Sequence, residues 1–508
     1  MDDVRDPAEV AISAQDLLRA EDKAAHHAPL WLALDQGGHA SRAIVFDSQG
    51  KQLVQAFAPI STQRYPNDRV EHDALEILES LRTVIADIAQ TLGADVRRIK
   101  AAGIATQRSS IVCWDARDGA PLSPVLSWQD RRNAALVNAL DPHRAEIQQL
   151  TGLVLSPHYG ASKLRWCLDE LPAVREAHAK KQLQCGPLAS YLLHGLLNEH
   201  PHRVDPANAS RTQLWSPASG QWVSQLLQWF GVPREILPQP VATHHRYGSL
   251  TVGKQTVPLQ VCTGDQAAVP FAMGPLQHNA VYLNIGTGAF MLAPLQQDVD
   301  RAAPLLRSVL YSDATQIHFA LEGTVNGAGS ALQWFGERTA IDVNRALPLL
   351  RRAATGDHVP LFINAVGGVG SPYWLHDITT SFVAVDGSNQ SYDDAAALIA
   401  VIESIAFLVA DNIALMTTHL PRLDSIIVGG GVSACRYLCE CIATLTTLPV
   451  TRVNEPELTA KGLAWLIADQ PANWKPPGDS SHYPVEVDSA LSTRHLQWQQ
   501  RMREFMRT

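Results

Sequence analysis

Residues 30–50 read LWLALDQGGHASRAIVFDSQG, and this stretch decides the fold class. Its apolar residues 30–34 predict a strand that ends at Asp35, and residues 42–46 predict a strand that returns after a glycine-rich turn. Residues 280–293, AVYLNIGTGAFMLA, repeat the strand–turn–strand pattern in the second half of the chain. A repeated hairpin of this kind predicts an internal duplication, with two α/β halves and a cleft between them.

The composition of the 508-residue chain is typical of a globular protein with more than one domain. The formal net charge is -9 and the basic residues form no long run, which argues against a nucleic-acid partner. The seven cysteines are too few for a disulfide framework. Cys435, Cys439 and Cys441 lie close together without a histidine at ligand spacing, so we expect buried small side chains there rather than metal ligands.

Neither a secretory signal nor a membrane span is expected. Residues 1–29 form a charged leader without the apolar core of a signal sequence. The longest apolar stretch, residues 395–410, is interrupted by Glu403 and runs into Asp411. We expect it to be too short and too polar to cross a bilayer, and the protein to be cytoplasmic with no membrane partner.

The chain is expected to divide into four parts. The leader is followed by an N-terminal domain over residues 30–274, a C-terminal domain over residues 275–470 and an extension over residues 471–508. Apolar periodicity and turn residues predict the main helices and strands. The helices are expected over residues 73–93, 393–420 and 490–506, and further strands over residues 99–105, 111–114, 361–365 and 425–428.

Three glycine turns follow apolar strands and suit phosphate binding. They lie at residues 35–38 (DQGG), 286–288 (GTG) and 429–431 (GGG). Backbone N–H groups in such a turn can bind an anion, and a carboxylate such as Asp35 can hold a magnesium ion through water. Each turn taken singly is also a common hairpin connector. Three of them, in a chain without a Walker-type loop, predict phosphate held between two domains.

Asp265 and Arg108 are candidate groups for phosphoryl transfer. Asp265 follows the apolar run 259–262, and a carboxylate there can accept the proton of a hydroxyl that attacks a phosphoryl group. The same residue could instead be a helix N-cap. Arg108 follows the strand predicted over residues 99–105, and it could bind a polar substrate or merely cap a loop. The pattern alone leaves both pairs of alternatives open.

Whole motifs of the sequence resemble those of the FGGY carbohydrate kinases, and within that family the chain is most similar to the glycerol kinases. The resemblance runs from residue 30 to residue 469 and is carried, in order, by the segments LALDQG, SRAIVFD, GIATQR, VCWD, LSWQDRR, TGLVLSPHYGASKLRW, ANASRTQLW, VPREILPQ, GDQAA, IGTGAF, LEGTVNGAGSALQW, SPYW, ESIAF, GGGVSA and EPELTAKG. It implies an α/β fold of two actin-like (ribonuclease H-like) domains with a hinge and an interdomain cleft. It also implies an ATP-dependent phosphotransferase that binds ATP, Mg2+ and a small polyol or sugar as acceptor, and it allows for a homo-oligomer.

The resemblance implies a role for individual residues. Asp265 corresponds to the catalytic base, and Asp35 corresponds to the carboxylate beside the magnesium ion. The positions implied to bind the acceptor are Gln107, Arg108, Ser109, Trp128, His158, Asp265, Gln266 and Phe290. The positions implied to bind the nucleotide are Gly38, His39, Arg42, Thr287, Gly329, Gln333, Gly430 and Ala434.

Several positions depart from the glycerol kinase pattern. Residues 38–40 (GHA) replace hydroxyl-bearing residues in the first phosphate turn, Val428 replaces an aspartate and Ala434 an asparagine. Ser109 replaces a glutamate and His158 a tyrosine that contact glycerol. A buried polar group that loses its partner costs about 1–3 kcal/mol, which is enough to redirect specificity. We therefore expect a larger polyol or sugar than glycerol as substrate. The alternatives are a glycerol kinase proper with a rearranged pocket, or a catalytically degenerate member that binds a sugar or nucleotide as a regulator.

Overall fold

The computed structural model describes residues 28–297, 299, 304–350, 359–375, 378–383, 392–420, 422–474 and 478–506. The charged leader predicted over residues 1–29 therefore lies, except for its last two residues, outside the described residues. The two hairpins found in the sequence are present, as Leu30–Gln36 with Ala40–Phe46 and as Ala280–Ile285 with Ala289–Pro294.

The N-terminal half alternates strands and helices. Its strands are β1 (Leu30–Gln36), β2 (Ala40–Phe46), β3 (Gln52–Pro59), β4 (Gln63–Tyr65), β5 (Arg69–His72), β6 (Ile99–Thr106), β7 (Ile111–Asp115), β8 (Val125–Leu126), β9 (Leu183–Pro187), β10 (Arg203–Val204), β11 (Trp215–Ser216), β12 (Gln221–Trp222), β13 (Gln239–Pro240), β14 (His244–Val252) and β15 (Gln255–Gly264). Its helices are α1 (Ala74–Leu92), α2 (Ala134–Ala139), α3 (Arg144–Thr151), α4 (Gly160–Glu170), α5 (Pro172–Ala179), α6 (Leu188–Leu196), α7 (Pro206–Ser210), α8 (Ser224–Phe230) and α9 (Asp265–Ala268).

The C-terminal half repeats this alternation. Its strands are β16 (Ala280–Ile285), β17 (Ala289–Pro294), β18 (Leu306–Ser312), β19 (Ile317–Val325), β20 (Leu361–Ile363), β21 (Ser381–Val383), β22 (Ser425–Gly429), β23 (Val450–Val453) and β24 (Ser480–Tyr483). Its helices are α10 (Gly329–Gly336), α11 (Val343–Ala346), α12 (Asp394–His419), α13 (Arg436–Thr446), α14 (Leu458–Ile467) and α15 (Ser489–Phe505).

The central sheets of the two halves share the order and direction of six strands, although β14 precedes β15 in the chain whereas β24 follows β23. The first has the order β3-β2-β1-β6-β15-β14, and the second contains the matching order β19-β17-β16-β22-β23-β24, with β18 added at its edge. In each sheet the hairpin is antiparallel, the next two strands run parallel to its first strand, and the last strand is antiparallel. The internal duplication predicted from the two hairpins is therefore confirmed.

The predicted element bounds agree with the structure to within a few residues, because capping residues delimit the helices. Asp73 is the N-cap of α1, and its side chain accepts hydrogen bonds from the backbone N–H groups of Leu75 and Glu76. The strand predicted over residues 361–365 is shorter, at Leu361–Ile363. All seven cysteines lie in the described part of the chain and are buried, as expected for small apolar side chains.

Helix α12 corrects one expectation. The apolar stretch expected to be too short for a bilayer belongs to a helix of 26 residues, which is long and apolar enough to cross a membrane by length and composition. Most of its residues are buried in the C-terminal half, where it contacts β19, β20 and α13. A helix that is apolar on all sides and packed on all sides is typical of a protein core.

Helix α15 of the C-terminal extension packs against the C-terminal half and makes buried polar contacts with α12 and β20. The Arg494 Nε and Nη2 atoms donate to the two Glu403 carboxylate oxygens at 2.8 and 2.5 Å, and Tyr437 donates its hydroxyl to the same carboxylate. The Trp498 indole N–H donates to the Phe362 carbonyl at 2.9 Å. Glu403 is 1% exposed, so its charge depends on these partners.

The variant Arg494→Met tests this attachment. It leaves the Glu403 carboxylate buried without its cation, which we expect to lower the free energy of unfolding by about 3–5 kcal/mol. The control is Arg501→Met, which removes an arginine of the same helix whose pair with Glu504 is exposed. That control should change stability by less than about 1 kcal/mol. Equal unfolding curves for the two variants would contradict the attachment.

Candidate active site

A cavity of about 220 Å³ lies between the two halves. In the N-terminal half β1, β6 and β15 run parallel to one another and end at the same edge of the sheet. The residues that follow these strands therefore meet at that edge, as in other open parallel sheets. The opposite wall comes from the β16–β17 turn and from β19 in the C-terminal half.

Most of the predicted site residues meet in this cavity. Those that line it are Gly38, His39, Gln107, Arg108, Ser109, Trp128, His158, Asp265, Gln266, Thr287 and Phe290. The predicted residues outside its lining are Asp35, Arg42, Gly329, Gln333, Gly430 and Ala434. All of the predicted acceptor positions thus belong to the first set, and most of the predicted nucleotide positions to the second.

Asp265 is the first residue of α9, and its N-cap is Gly264. The N-cap alternative for Asp265 is therefore wrong. Its Oδ1 atom accepts the Gln266 backbone N–H at 2.7 Å and lies 3.8 Å from Arg108 Nε, while its side chain is 24% exposed. Burial raises the pKa of Asp265, although Arg108 and the Gln266 N–H group act in the opposite direction.

Arg108 pairs with a buried carboxylate of the other half. Its two terminal nitrogens donate to the two Glu322 carboxylate oxygens at 2.9 and 3.0 Å, and Arg211 donates to the same carboxylate. Ser308 adds a hydrogen bond at 2.7 Å. Burial alone raises the pKa of Glu322, but Arg108 and Arg211 together lower it to about 2. The carboxylate is therefore charged at any physiological pH.

Among the described residues the Arg108 side chain donates its hydrogen bonds to Glu322 and not to a loop carbonyl, which disfavours the loop-cap alternative, while its binding of a substrate stays a prediction. Its guanidinium lines the cavity, held from behind by Glu322, with the Phe290 ring centroid 6.0 Å away. Glu322 and Arg211 also line the cavity, yet sequence reasoning assigned neither of them. Both lie in motifs that carry the family resemblance, LEGTVNGAGSALQW and ANASRTQLW, and that was the available signal.

An aromatic pair, Trp128 with Phe290, lines the cavity together with the polar residues Ser109 and His158, and all four are predicted acceptor positions. The Trp128 and Phe290 ring centroids are 6.5 Å apart at an interplanar angle of 70°. His158 Nδ1 lies 3.1 Å from the Trp128 carbonyl oxygen. Ser109 has a backbone φ of 67°, a left-handed conformation that is uncommon for a residue with a side chain.

Asp35 lies next to the cavity and is almost fully buried. Its Oδ2 atom is 3.8 Å from Arg42 Nη1, and Arg42 also lies 3.5 Å from Glu457, a residue that sequence reasoning did not single out. Burial and the negative charge of Asp265 raise the pKa of Asp35 to about 7, against the opposing effect of Arg42. Asp35 and Asp265 are two carboxyl groups whose neighbouring cations do not fully offset their burial and charge. Such groups with raised pKa values are typical of functional sites that bind protons or cations.

The glycine turns of the C-terminal half pack against one another. The Gly329 N–H donates to the Gly286 carbonyl at 2.9 Å. Gly430 has a φ of 86°, and a Cβ atom there would lie 2.5 Å from the Ile285 carbonyl oxygen, so the turn requires glycine. Gln333 and Ala434 are exposed, and the Gln333 amide donates to Glu337 at 2.9 Å.

Comparison with known families gives two matches that together cover most of the chain. Residues 30–273 match the N-terminal domain of the FGGY family of carbohydrate kinases, and residues 281–468 match the C-terminal domain of the same family. The chain is 31% identical over 499 residues to a glycerol kinase of Leptothrix cholodnii, covering 93% of this chain and 98% of that protein. It is 34% identical over 459 residues to a glycerol kinase of Rhodopirellula baltica, covering 88% of this chain and 84% of that protein.

Solved structures share the fold. A Plasmodium falciparum glycerol kinase with ADP aligns with a TM-score of 0.83 at 20% identity, covering 94% of this chain and 98% of that one. A ligand-bound xylulose kinase from Lactobacillus acidophilus aligns with a TM-score of 0.75 at 17% identity, covering 94% and 97% of the two chains. The predicted two-domain α/β fold is thereby confirmed.

The raised pKa of Asp35 predicts a stabilising effect of Asp35→Asn. Between pH 4 and 7 the native state holds this proton more tightly than the unfolded chain does, so stability falls as the pH rises across that range. At pH 8, without nucleotide or metal, we expect Asp35→Asn to raise the free energy of unfolding by on the order of 2–4 kcal/mol. The gain should shrink at pH 5.

Denaturant unfolding at the two pH values measures this effect. The control is Asp87→Asn, which changes an exposed carboxylate on α1 and should leave stability nearly the same at both pH values. An Asp35→Asn protein that is less stable than the wild type at pH 8 would overturn the assignment of Asp35 as an undercompensated carboxylate.

Proposed function

The chain belongs to the FGGY family of carbohydrate kinases and is an ATP-dependent phosphotransferase with an alcohol group as acceptor, and we propose that Asp265 is its general base. In this proposal the acceptor is a small polyol or sugar bound in the cavity beside Arg108 and Trp128. The observation that carries it is the position of the Asp265 carboxylate, which lies in the same cavity as the acceptor pocket and the Gly286–Gly288 turn.

Asp265 suits proton transfer because its environment keeps the carboxylate basic and accessible. Its pKa is raised by burial, and a base with a higher pKa takes a proton from an alcohol more readily. The Oδ1 atom accepts the Gln266 N–H, and the one hydrogen bond that Oδ2 accepts from the described part of the chain is a long one of 3.4 Å, from the Gln266 amide. The Oδ2 atom is therefore the one we assign to the substrate hydroxyl.

The nucleotide is proposed to lie along the glycine turns. Backbone N–H groups of Gly38, Thr287 and Gly288, with the Thr287 hydroxyl and the Arg42 guanidinium, are suitable donors to phosphate oxygens, whereas the Gly286 N–H is donated to the Gly288 carbonyl within the turn. The exposed residues His39, Gln333 and Ala434, together with Gly329 and Gly430, extend this surface. The proposal includes the division into an acceptor-binding domain (residues 30–274) and a nucleotide-binding domain (residues 275–470).

The residues around Asp35 fit a magnesium ion that is bound mainly through phosphate. Burial and the charge of Asp265 raise the pKa of Asp35, so a cation beside it would stabilise the ionised carboxylate, and oxygen donors are the ligands that magnesium prefers. Among the described residues, no three histidine, cysteine, aspartate or glutamate side chains are grouped to hold a metal. Magnesium commonly takes one or two carboxylates and completes its shell with phosphate and water. Asp35 would hold the ion, which when bound neutralises phosphate charge.

The acceptor is proposed to be a four- or five-carbon polyol or ketose. Ser109 and His158 both line the cavity, at positions where the glycerol kinase pattern has a glutamate and a tyrosine. Both replacements are shorter, so the pocket is roomier and less acidic. Glycerol itself is the second candidate, because relatives that are 31% and 34% identical over most of the chain are glycerol kinases. A cytoplasmic location and a homo-oligomeric state stay predictions.

The variant Asp265→Asn tests the base. Because an amide cannot accept the proton, kcat should fall by about 10²–10⁴-fold, while the KM for ATP changes little. Asp87→Asn on the exposed face of α1 is the matched control and should keep the wild-type kcat. Near-normal turnover by Asp265→Asn would exclude Asp265 as the base.

A panel of acceptors tests the substrate class. We expect kcat/KM for a four- or five-carbon polyol or ketose to exceed that for glycerol. The double variant Ser109→Glu, His158→Tyr restores the glycerol kinase side chains and should shift the ratio towards glycerol by about tenfold or more. If the wild type already prefers glycerol over every longer acceptor, the chain is a glycerol kinase proper and the larger-substrate proposal is wrong.

A further inference from the structure

A fully buried lysine lies directly behind the acceptor pocket. We propose that Lys163 is the positioning residue of this pocket, and that its single ammonium group fixes the three chain segments that surround the acceptor. The inference rests on the proposed function, because it concerns how the proposed polyol or sugar acceptor is positioned. Lys163 lies on α4 and is 0% exposed.

The Lys163 side-chain nitrogen donates hydrogen bonds to three backbone carbonyls. Burial lowers the pKa of Lys163 to about 7, so the ammonium form that carries three donors predominates below that pH. The Nζ atom lies 2.7 Å from the Ser127 oxygen, 2.8 Å from the His158 oxygen and 3.3 Å from the Ser109 oxygen. An ammonium group has three N–H donors and no acceptor, so this set uses its full capacity.

Each of these carbonyls belongs to a different segment of the pocket. Ser109, Ser127 and His158 all line the cavity, and Ser127 directly precedes Trp128. The three segments lie between β6 and β7, after β8 and before α4. The first two are joined to each other by the β7–β8 pair of Ile111 with Leu126, and Lys163 connects both of them to the segment before α4. Lys163 is the point at which they converge.

The local backbone needs such a restraint. Ser109 adopts a left-handed conformation with a φ of 67°, which persists in a protein only where surrounding contacts fix it. The carbonyl of His158 is held by Lys163, while its ring contacts the carbonyl of Trp128. Loss of the ammonium group would therefore release both residues that distinguish this pocket from that of glycerol kinases.

Lys163 acts on the pocket from behind, because it is not among the residues that line the cavity. Within the described residues Lys163 makes no ion pair, and the polar contacts of its side chain are the three hydrogen bonds to these carbonyls. A group in this position can order the acceptor site without touching the nucleotide, which predicts a selective effect on acceptor binding.

The variant Lys163→Met keeps an unbranched apolar stem and removes the donors. We expect it to raise the KM for the acceptor by about tenfold or more, with the KM for ATP within about twofold of the wild type. Amide hydrogen exchange of the full chain without ligand should rise in residues 107–110, 126–129 and 156–160.

The matched control is Leu164→Ala, which removes buried apolar contacts from the same helix without touching the three carbonyls. It should lower stability but leave the acceptor KM and the exchange in those segments near wild-type values. If Lys163→Met changes the acceptor KM and the amide exchange of the three segments no more than Leu164→Ala does, the lysine only stabilises the fold and the proposal is wrong.

If Lys163→Met does not fold, Lys163→Arg decides the question. A planar guanidinium spreads its donors over separate nitrogens, so it keeps the charge but cannot direct three N–H bonds from one atom. We expect a smaller rise in the acceptor KM and in exchange of the same segments, and unchanged values would overturn the proposal. Hydrogen exchange needs no substrate. A wild type that phosphorylates no polyol or sugar would therefore refute the proposed function separately from the effect of Lys163 on the segments.

Discussion

The Glu322 carboxylate, buried between Arg108 and Arg211, is the interaction on which the geometry of the cleft depends. Glu322 lies on the sheet of the C-terminal half, and both arginines belong to the N-terminal half. All three side chains are nearly excluded from solvent, and a buried charge that loses its partner is strongly destabilising. The two halves are therefore joined at the base of the cleft by charges that must stay paired. The same pairing fixes the Arg108 side chain at the wall of the cavity.

Three carboxyl groups of the cleft differ in pKa because their partners differ. Two guanidinium groups lower the pKa of Glu322 to about 2. Burial raises the pKa of Asp265 and, with the charge of Asp265, that of Asp35 to about 7. Carboxyl groups whose environments separate their pKa values take different roles. Glu322 stays charged and joins the two halves through its ion pairs. The raised pKa values of Asp265 and Asp35 mean that each would be stabilised by binding a proton or a cation. We infer that this difference is why Asp265, and not Glu322, is suited to be the base.

The duplicated fold explains why two glycine turns face one cavity. The β1–β2 turn and the β16–β17 turn occupy equivalent places in sheets of the same strand order. Gly38 from the first and Gly286, Thr287 and Gly288 from the second all line the cavity. Each turn presents backbone N–H groups with little side-chain bulk, so a phosphorylated ligand can be approached from both halves at once. The wall of the cavity formed by Ser109, Ser127 and His158 belongs to the N-terminal half alone, and the Lys163 side chain contacts the carbonyls of all three residues.

The sequence by itself determined the two hairpins, the duplication, the main helices and the residues that converge on the cavity. Strand and helix patterns depend on residues close together in the chain, and motif order places Asp265, Arg108, Trp128 and Phe290 correctly in one cavity. Only the tertiary structure decided which polar groups pair. Arg108 and Glu322 are 214 residues apart, and Lys163 reaches a carbonyl 54 residues away. No local periodicity encodes such contacts, because they form only when the sheets have packed and exclude water around the charges. The same packing decided that Asp265 begins a helix without capping it, and that the apolar helix α12 lies inside the C-terminal half.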